Sequence, residues 1–230
     1  METILAIETS VPEASIALWS DGVWLFDQGF TSDRNHNSVI FDCLGEALES
    51  LQGRALTAVV VGTGPGSYSG TRIGIAAAQG VAIARGCPAV GIGSLAATPV
   101  ARSHGAVGAV GESMAVGDAR RGMYFISRIA ATGEAMEAGL MDAGEFAARL
   151  REAPGTALFT FDDPARLGLD EELASRVLRT RPEARLLIDV WLGLDESRRR
   201  ELSHRPLSPS YLRAPFTSKA KSGHPLLRQD

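Results

Sequence analysis

Glu8 and Asp118 stand where a catalytic site would use carboxylates: Glu8 closes the first apolar run, and Asp118 precedes the turn Ala119-Arg120-Arg121-Gly122. Carboxylates at strand ends can hold paired metal ions that clamp the attacking and leaving oxygens of a displacement. That chemistry needs several of them together. Where another would be sought, after the fourth strand, the chain offers only Gly62-Thr63-Gly64. His36, His104, His204 and His224 lie far apart, and none are spaced to put two imidazoles on one helix face. Ser67 and Ser69 sit among glycines without the G-x-S-x-G pattern of an activated serine. Cys43 and Cys87 lack C-x-x-C spacing, which fits a reducing compartment and argues against a zinc site or a disulfide framework.

The densest pattern is Gly62-Thr63-Gly64-Pro65-Gly66-Ser67-Tyr68-Ser69-Gly70-Thr71-Arg72-Ile73-Gly74. It is not G-x-G-x-x-G, and no Lys-Ser or Lys-Thr follows, so neither common phosphate loop is present. A glycine turn leading into a helix N-terminus still leaves open an anion held by backbone N–H groups.

Before the glycines, Leu56 to Val61 is a continuous apolar run of β-branched type, as in a parallel strand covered on both faces. After them, Ile73 to Ala84 reads IGIAAAQGVAIA, a helix apolar on every side and so requiring cover on every side. Two rows of that helix lack bulk: Gly70, Gly74 and Ala78, and Ala76, Gly80 and Ala84. Either the chain's own elements fill both rows, or a second protein fills one. On the second reading Gly74→Leu should abolish association while leaving the monomer folded.

An earlier helix, Asn35 to Leu51, carries apolar residues over about 200° of arc, where a core-facing stripe needs roughly 100°. Phe41 and Leu48 fall at its margin and look surplus. Three strands precede this helix, at Thr3 to Glu8, Ala14 to Trp19 and Val23 to Gly29, with Ser20-Asp21-Gly22 a tight turn. With a short strand at Ala89 to Ile92 the order is βββαβαβ, which suits an α/β, ribonuclease H-like (actin-like ATPase, ASKHA) fold with mixed sheets flanked by helices. A helix follows to about Arg102, then a strand pair at Met114 to Asp118 and Met123 to Ile129. The similar placing of Glu8 and Asp118 hints at an internal duplication. A further strand is expected near Leu158 to Phe161 and a helix over Glu183 to Glu201. The expected organisation is a first subdomain over 1–100, a smaller second one over 101–216, and a loose tail over 217–230.

The 230 residues are 45% hydrophobic and 22% charged with a net charge of −4, ordinary for a soluble protein and without a global field for nucleic acid. Arginines gather late, from Arg176 to Arg213, but acids interleave with them. A solvated helix face is the plain reading and an RNA-facing patch the alternative. The start METILAIETS lacks a signal-peptide pattern and no apolar run reaches ~18 residues, so a cytoplasmic location without membrane contact is expected.

Gly64 to Gly74 resembles the signature of the bacterial TsaB (YeaZ) family, partner proteins in tRNA threonylcarbamoyladenosine biosynthesis. Weaker matches follow in order: Ile4 to Ser10, Arg34-Asn35-His36, Gly91 to Leu95, Asp118 to Gly122, and Pro209 to Arg213. In the signature loop, Gly64, Gly66, Ser67 and Gly70 carry the likeness. Glu8 stands where the family commonly has Asp, Phe41-Asp42 replaces a typical Leu-Pro, and Tyr124-Phe125 a usual Val-Tyr.

The resemblance implies a catalytically silent member of the superfamily, with no catalytic residue or metal ligand of its own. Its vestigial nucleotide site would comprise Glu8, Thr9, Ser10 and Asp118. It implies pairing with a TsaD-like subunit, which would carry ATP and a divalent metal and transfer threonylcarbamoyl to the N6 amine of the adenine beside the anticodon. A TsaE-like ATPase and tRNA would join through that complex, and a homodimer would form when the chain is alone. The two early helices would make the contact, through Phe41, Leu44 and Leu48 on the first and Arg72, Ile75, Ala76 and Gln79 on the second. The competing functions are a nucleotide-dependent phosphotransferase, a glycoprotease-like metal enzyme, and a tRNA-binding module.

Overall fold

Strand β1 (Thr3–Glu8) is buried along its whole length because both of its faces are covered. It pairs antiparallel with β2 (Glu13–Ser20) and parallel with β4 (Ala58–Gly62). Strand β3 (Val23–Thr31) follows β2 through a turn in which Asp21 and Gly22 take positive φ, and β5 (Ala89–Ile92) adds beside β4. The first sheet therefore runs β3-β2-β1-β4-β5. The computed structural model describes residues 1–31, 38–104, 113–130, 135–136 and 138–212. Arg34, Asn35, His36, Arg213, His224 and the tail expected over 217–230 lie outside them.

The second sheet is built from β6 (Ser113–Asp118), β7 (Met123–Ile129), β8 (Gly139–Asp142), β9 (Ala157–Thr160) and β10 (Val177–Arg179). Its order is β10-β9-β6-β7-β8, with β6 antiparallel to β7 and parallel to β9. Read from the other edge, this is the order of the first sheet strand for strand. The duplication hinted at by Glu8 and Asp118 is thus a repeat of the whole sheet, and those two residues end equivalent central strands. Two mixed sheets of this topology, flanked by helices, make the α/β ribonuclease H-like arrangement.

Helices α1 (Ser38–Glu49) and α2 (Tyr68–Arg85) cover one face of the first sheet, packing on Leu5, Ile7, Ile16, Leu18, Val59 and Val61. The opposite face, with Ile4, Ala6, Val60 and Val90, is covered by α6 (Ala184–Gly193) and Leu202 of α7 (Glu196–His204). The second sheet packs on α4 (Ala143–Arg151) and α5 (Glu171–Arg176) on one face. Its other face holds Ala115, Phe125 and Phe159 against Leu95 and against Ala101 of α3 (Pro99–His104).

These contacts alter three expectations. A division at residue 100 misassigns α6 and α7, which return to the first sheet; the Glu183 N–H donates to the Ala97 carbonyl and the Ala184 N–H to the Ser15 hydroxyl. The single helix expected over Glu183 to Glu201 is two, because the Asp195 carboxylate caps a new start by accepting the Arg198 N–H. Helix α2 begins at Tyr68, inside the glycine segment, where the Ser67 hydroxyl accepts the Gly70 N–H as an N-cap. Gly86, at φ 67°, ends it. Among the described residues no helix is long and apolar enough to cross a membrane.

Candidate functional site

The glycine segment presses onto the turn that follows β1. A Cβ on Gly66 would stand 2.2 Å from the Ser10 carbonyl oxygen, one on Gly70 2.2 Å from the Thr9 carbonyl oxygen, and one on Gly74 2.2 Å from Thr9 Oγ1. A side chain at any of the three would force its neighbour to shift, the backbone at Gly66 and Gly70 and the Thr9 side chain at Gly74. Hydrogen bonds fix the contact: the Ser67 N–H donates to the Ser10 carbonyl at 2.6 Å and the Thr9 hydroxyl to the Gly70 carbonyl at 2.8 Å. Gly64, at φ 87°, donates its N–H to the Ser94 hydroxyl at 3.0 Å. The loop N–H groups of Gly64, Ser67 and Gly70 are thus engaged within the chain and not free to cradle an anion.

Glu8 lies beneath this loop, fully buried. Its Oε1 accepts the Ser10 N–H at 2.7 Å, while Oε2 is buried without a partner among the described residues. Burial pushes the carboxyl above its ordinary range, and hydrogen bonding from Ser10 opposes that only in part. Gly62 makes room for it, since a Cβ there would come 1.9 Å from Oε2. The position that sequence made well suited to a metal carboxylate is an inward-facing core position. Asp118 is committed to its own turn: Oδ1 accepts the Arg120 N–H at 2.6 Å, and Oδ2 pairs with the Arg120 guanidinium at 3.2 Å. Its N–H donates to Asp162 Oδ2 at 3.2 Å. A cavity of about 590 Å³ lies between the two sheets, and Glu8, Thr9, Ser10 and Asp118 do not line it. Among the described residues no three His, Cys, Asp or Glu side chains converge to hold a metal ion.

The two small-residue rows of α2 have opposite fates. Gly70, Gly74 and Ala78 face the chain's own β1 turn and sheet, so Gly74 belongs to the interior and the expectation for Gly74→Leu is corrected: that side chain would strike Thr9. Ala76, Gly80 and Ala84 are exposed, and among the described residues nothing lies within 4 Å of a Cβ built on Gly80. Gln79 is exposed beside them and Ile83 is 83% exposed. On α1 and the turn that follows it, the buried residues Ile40, Cys43, Leu44, Ala47 and Leu51 cover an arc of about 100°, the width a core stripe requires. Phe41, beyond that arc, is 57% exposed, and Leu48 is half-buried against the core.

Two of the proposed contact residues are therefore corrected. Leu44 at 6% exposure and Ile75 at 7% are core residues, because both fall inside the sheet-facing arc of their helices. Phe41, Arg72, Ala76 and Gln79 remain on the outward side.

Arg72 is held in an aromatic corner that sequence alone did not reveal. Its guanidinium carbon lies 3.5 Å from the ring centre of Tyr68 and 5.2 Å from that of Tyr211, and the rings stack at 5.8 Å. Tyr68 and Arg72 are four apart on α2, a spacing that could have been noticed. Tyr211 arrives on the segment after α7, anchored where the Ser210 N–H donates to the Thr63 carbonyl at 2.8 Å, and no local pattern announces that. Ile83 also escaped notice, although helical spacing sets it between Arg72 and Ala76 on the wheel.

Many of the late arginines act within the fold. Arg199 donates to the carbonyls of Trp191, Leu192 and Leu194 and pairs with Glu2 at 3.1 Å. Arg176 binds the carbonyls of Leu150 and Ala153, Arg185 pairs with Asp27, and Arg200 with Glu196. Of the interleaved acids, Glu183, Glu196 and Glu201 pair with Arg181, Arg200 and Arg198, and these pairs favour the solvated, ion-paired reading over an RNA-facing patch.

The family model described as TsaD, tRNA N6-adenosine threonylcarbamoyltransferase, matches residues 30–156, more than half of the chain. The tRNA threonylcarbamoyladenosine biosynthesis protein TsaB of Escherichia coli (strain K12) is 38% identical over 96 residues, 40% of each protein. The crystal structure of an uncharacterized Pseudomonas aeruginosa protein with similarity to peptidase YeaZ superposes with a TM-score of 0.69 at 23% identity, covering 93% of this chain and all of that one. YeaZ from Pseudomonas aeruginosa gives 0.64 at 23% identity, with 92% and 100% covered. These structures share the fold, a ribonuclease H-like arrangement of two sheets. The chain belongs to the TsaD family of tRNA N6-adenosine threonylcarbamoyltransferases. The sequence match spans less than half the length of the Escherichia coli relative.

Proposed function

We propose that this chain is a non-catalytic subunit of tRNA threonylcarbamoyladenosine biosynthesis, pairing with a TsaD-like subunit through the outward sides of α1 and α2. The observation that carries the proposal is the division of α2: its inward row is filled by Thr9 and the sheet, while Ala76, Gly80, Ile83 and Ala84 stay exposed. Mid-helix glycine costs roughly 1 kcal/mol against alanine. At Gly74 internal packing explains it; at Gly80 nothing among the described residues does, and close approach by a second backbone would. The buried Glu8 and the self-paired Asp118 support a silent role, with the transfer chemistry, ATP and divalent metal on the partner. A TsaE-like ATPase and tRNA would engage the complex, and the same face would make a homodimer in the partner's absence.

The test is reconstitution with and without this chain, reading threonylcarbamoyladenosine formed in tRNA. Loss of product on omission is expected, and full activity without the chain would remove the role. Turnover of ATP by the chain alone, sensitive to Glu8→Ala or Asp118→Ala, would instead favour the phosphotransferase reading.

A further inference from the structure

The geometry points to Arg72 as the charged anchor of the partner-facing surface, receiving a carboxylate side chain from the protein that docks along α2; this deepens the pairing proposed above and rests on it.

Arg72, Ala76, Gln79 and Ile83 fall within about 60° of arc on α2, so the guanidinium shares one strip with the exposed small residues. Helix α2 contains no acid, and Arg72 forms no ion pair or hydrogen bond among the described residues. One of its terminal amino groups is buried without an acceptor. A buried donor left unpaired is unfavourable until an acceptor arrives. This contrasts with Arg176, Arg185, Arg199 and Arg200, which have carbonyl or carboxylate partners within the chain.

The rings of Tyr68 and Tyr211 pack beside the guanidinium and limit its motion. A guanidinium seated on an aromatic face keeps its edge donors, and that edge matches a carboxylate bidentately. Tyr211 is a positioning residue in this scheme, since it acts through Arg72. A carboxylate fits better than an RNA phosphate. RNA binding draws its affinity from many phosphate contacts, whereas here one cation borders an uncharged strip on a chain of net charge −4.

The test is calorimetric titration of the full chain against the TsaD-like subunit of the same organism, at low and high salt. Unaltered chain, Arg72→Gln, Arg72→Lys, Tyr211→Leu and Ala76→Leu are compared after thermal melts confirm folding. Arg72→Gln is expected to weaken binding at least about tenfold and to remove most of its salt dependence. Arg72→Lys keeps the charge without the fork and should recover only part of the loss. Tyr211→Leu should fall between.

If Ala76→Leu abolishes binding while Arg72→Gln matches the unaltered chain in affinity and salt slope, the pairing stands and the anchor is overturned. No binding by the unaltered chain overturns both. If Arg72→Gln lowers affinity for tRNA and leaves that for the protein unchanged, the cation serves phosphate and the inference fails.

Discussion

Thr9 and Gly74 touch across the junction of β1 and α2, with Thr9 Oγ1 2.2 Å from where a Gly74 Cβ would stand. The contact places this face of the glycine helix inside the molecule. Gly74→Leu should therefore destabilise the monomer itself, and even Gly74→Ala should cost about 1–3 kcal/mol as backbone or Thr9 shifts. Urea unfolding measures the loss. A Gly74→Ala chain as stable as the original would mean that the junction yields easily.

Gly80 makes the opposite case. It is exposed, and among the described residues a Cβ there meets nothing within 4 Å. Gly80→Ala should raise the stability of the isolated chain by up to about 1 kcal/mol through helix propensity alone. Thermal unfolding of the two chains, at concentrations low enough to keep them monomeric, checks this.

Glu8 gives the stability a pH signature. Its folded pKa is raised, so the folded state holds the proton more tightly than the unfolded chain does. This contribution is fully present below about pH 4.5, the ordinary value, and is lost as pH rises through the higher folded pKa. Glu8→Gln keeps the shape and cannot ionise, so it should flatten that decline and gain relative stability toward neutral pH. Melting curves of both proteins across this range measure it, and parallel curves would contradict the burial argument.

Cys43 and Cys87 should differ in reactivity. Burial pushes the Cys43 thiol up to about 11, so almost no thiolate forms near neutral pH. Cys87 is only partly buried. Alkylation of the native protein should therefore label Cys87 first and Cys43 only on unfolding, as peptide mass mapping would show.

Much of this fold was legible because its signals are local. The apolar runs at β1 and β4 and the turn at Asp21-Gly22 follow from residue type alone. What escaped depended on distant contacts. Strands β8 and β10 are short and take their pairing from β7 and β9, and α6 carries no mark that it returns to the first sheet. At the site, the wheel of α1 set Phe41 and Leu48 apart, of which Phe41 is exposed and Leu48 half-buried, while Leu44, offered for partner contact, lies within the wheel's core stripe. The low bulk of both α2 rows was visible, but which row faced inward depended on Thr9, some sixty residues earlier in the chain. Tyr211 could not have been placed beside Arg72 without the fold.

The outward row of α2 is tested most directly by light scattering on equimolar mixtures with the TsaD-like subunit, comparing the unaltered chain with Gly80→Leu. Gly80→Leu should melt within a few degrees of the original yet elute apart from the partner, while the unaltered chain co-elutes as a complex. Co-elution of Gly80→Leu with undiminished affinity would contradict pairing through this surface.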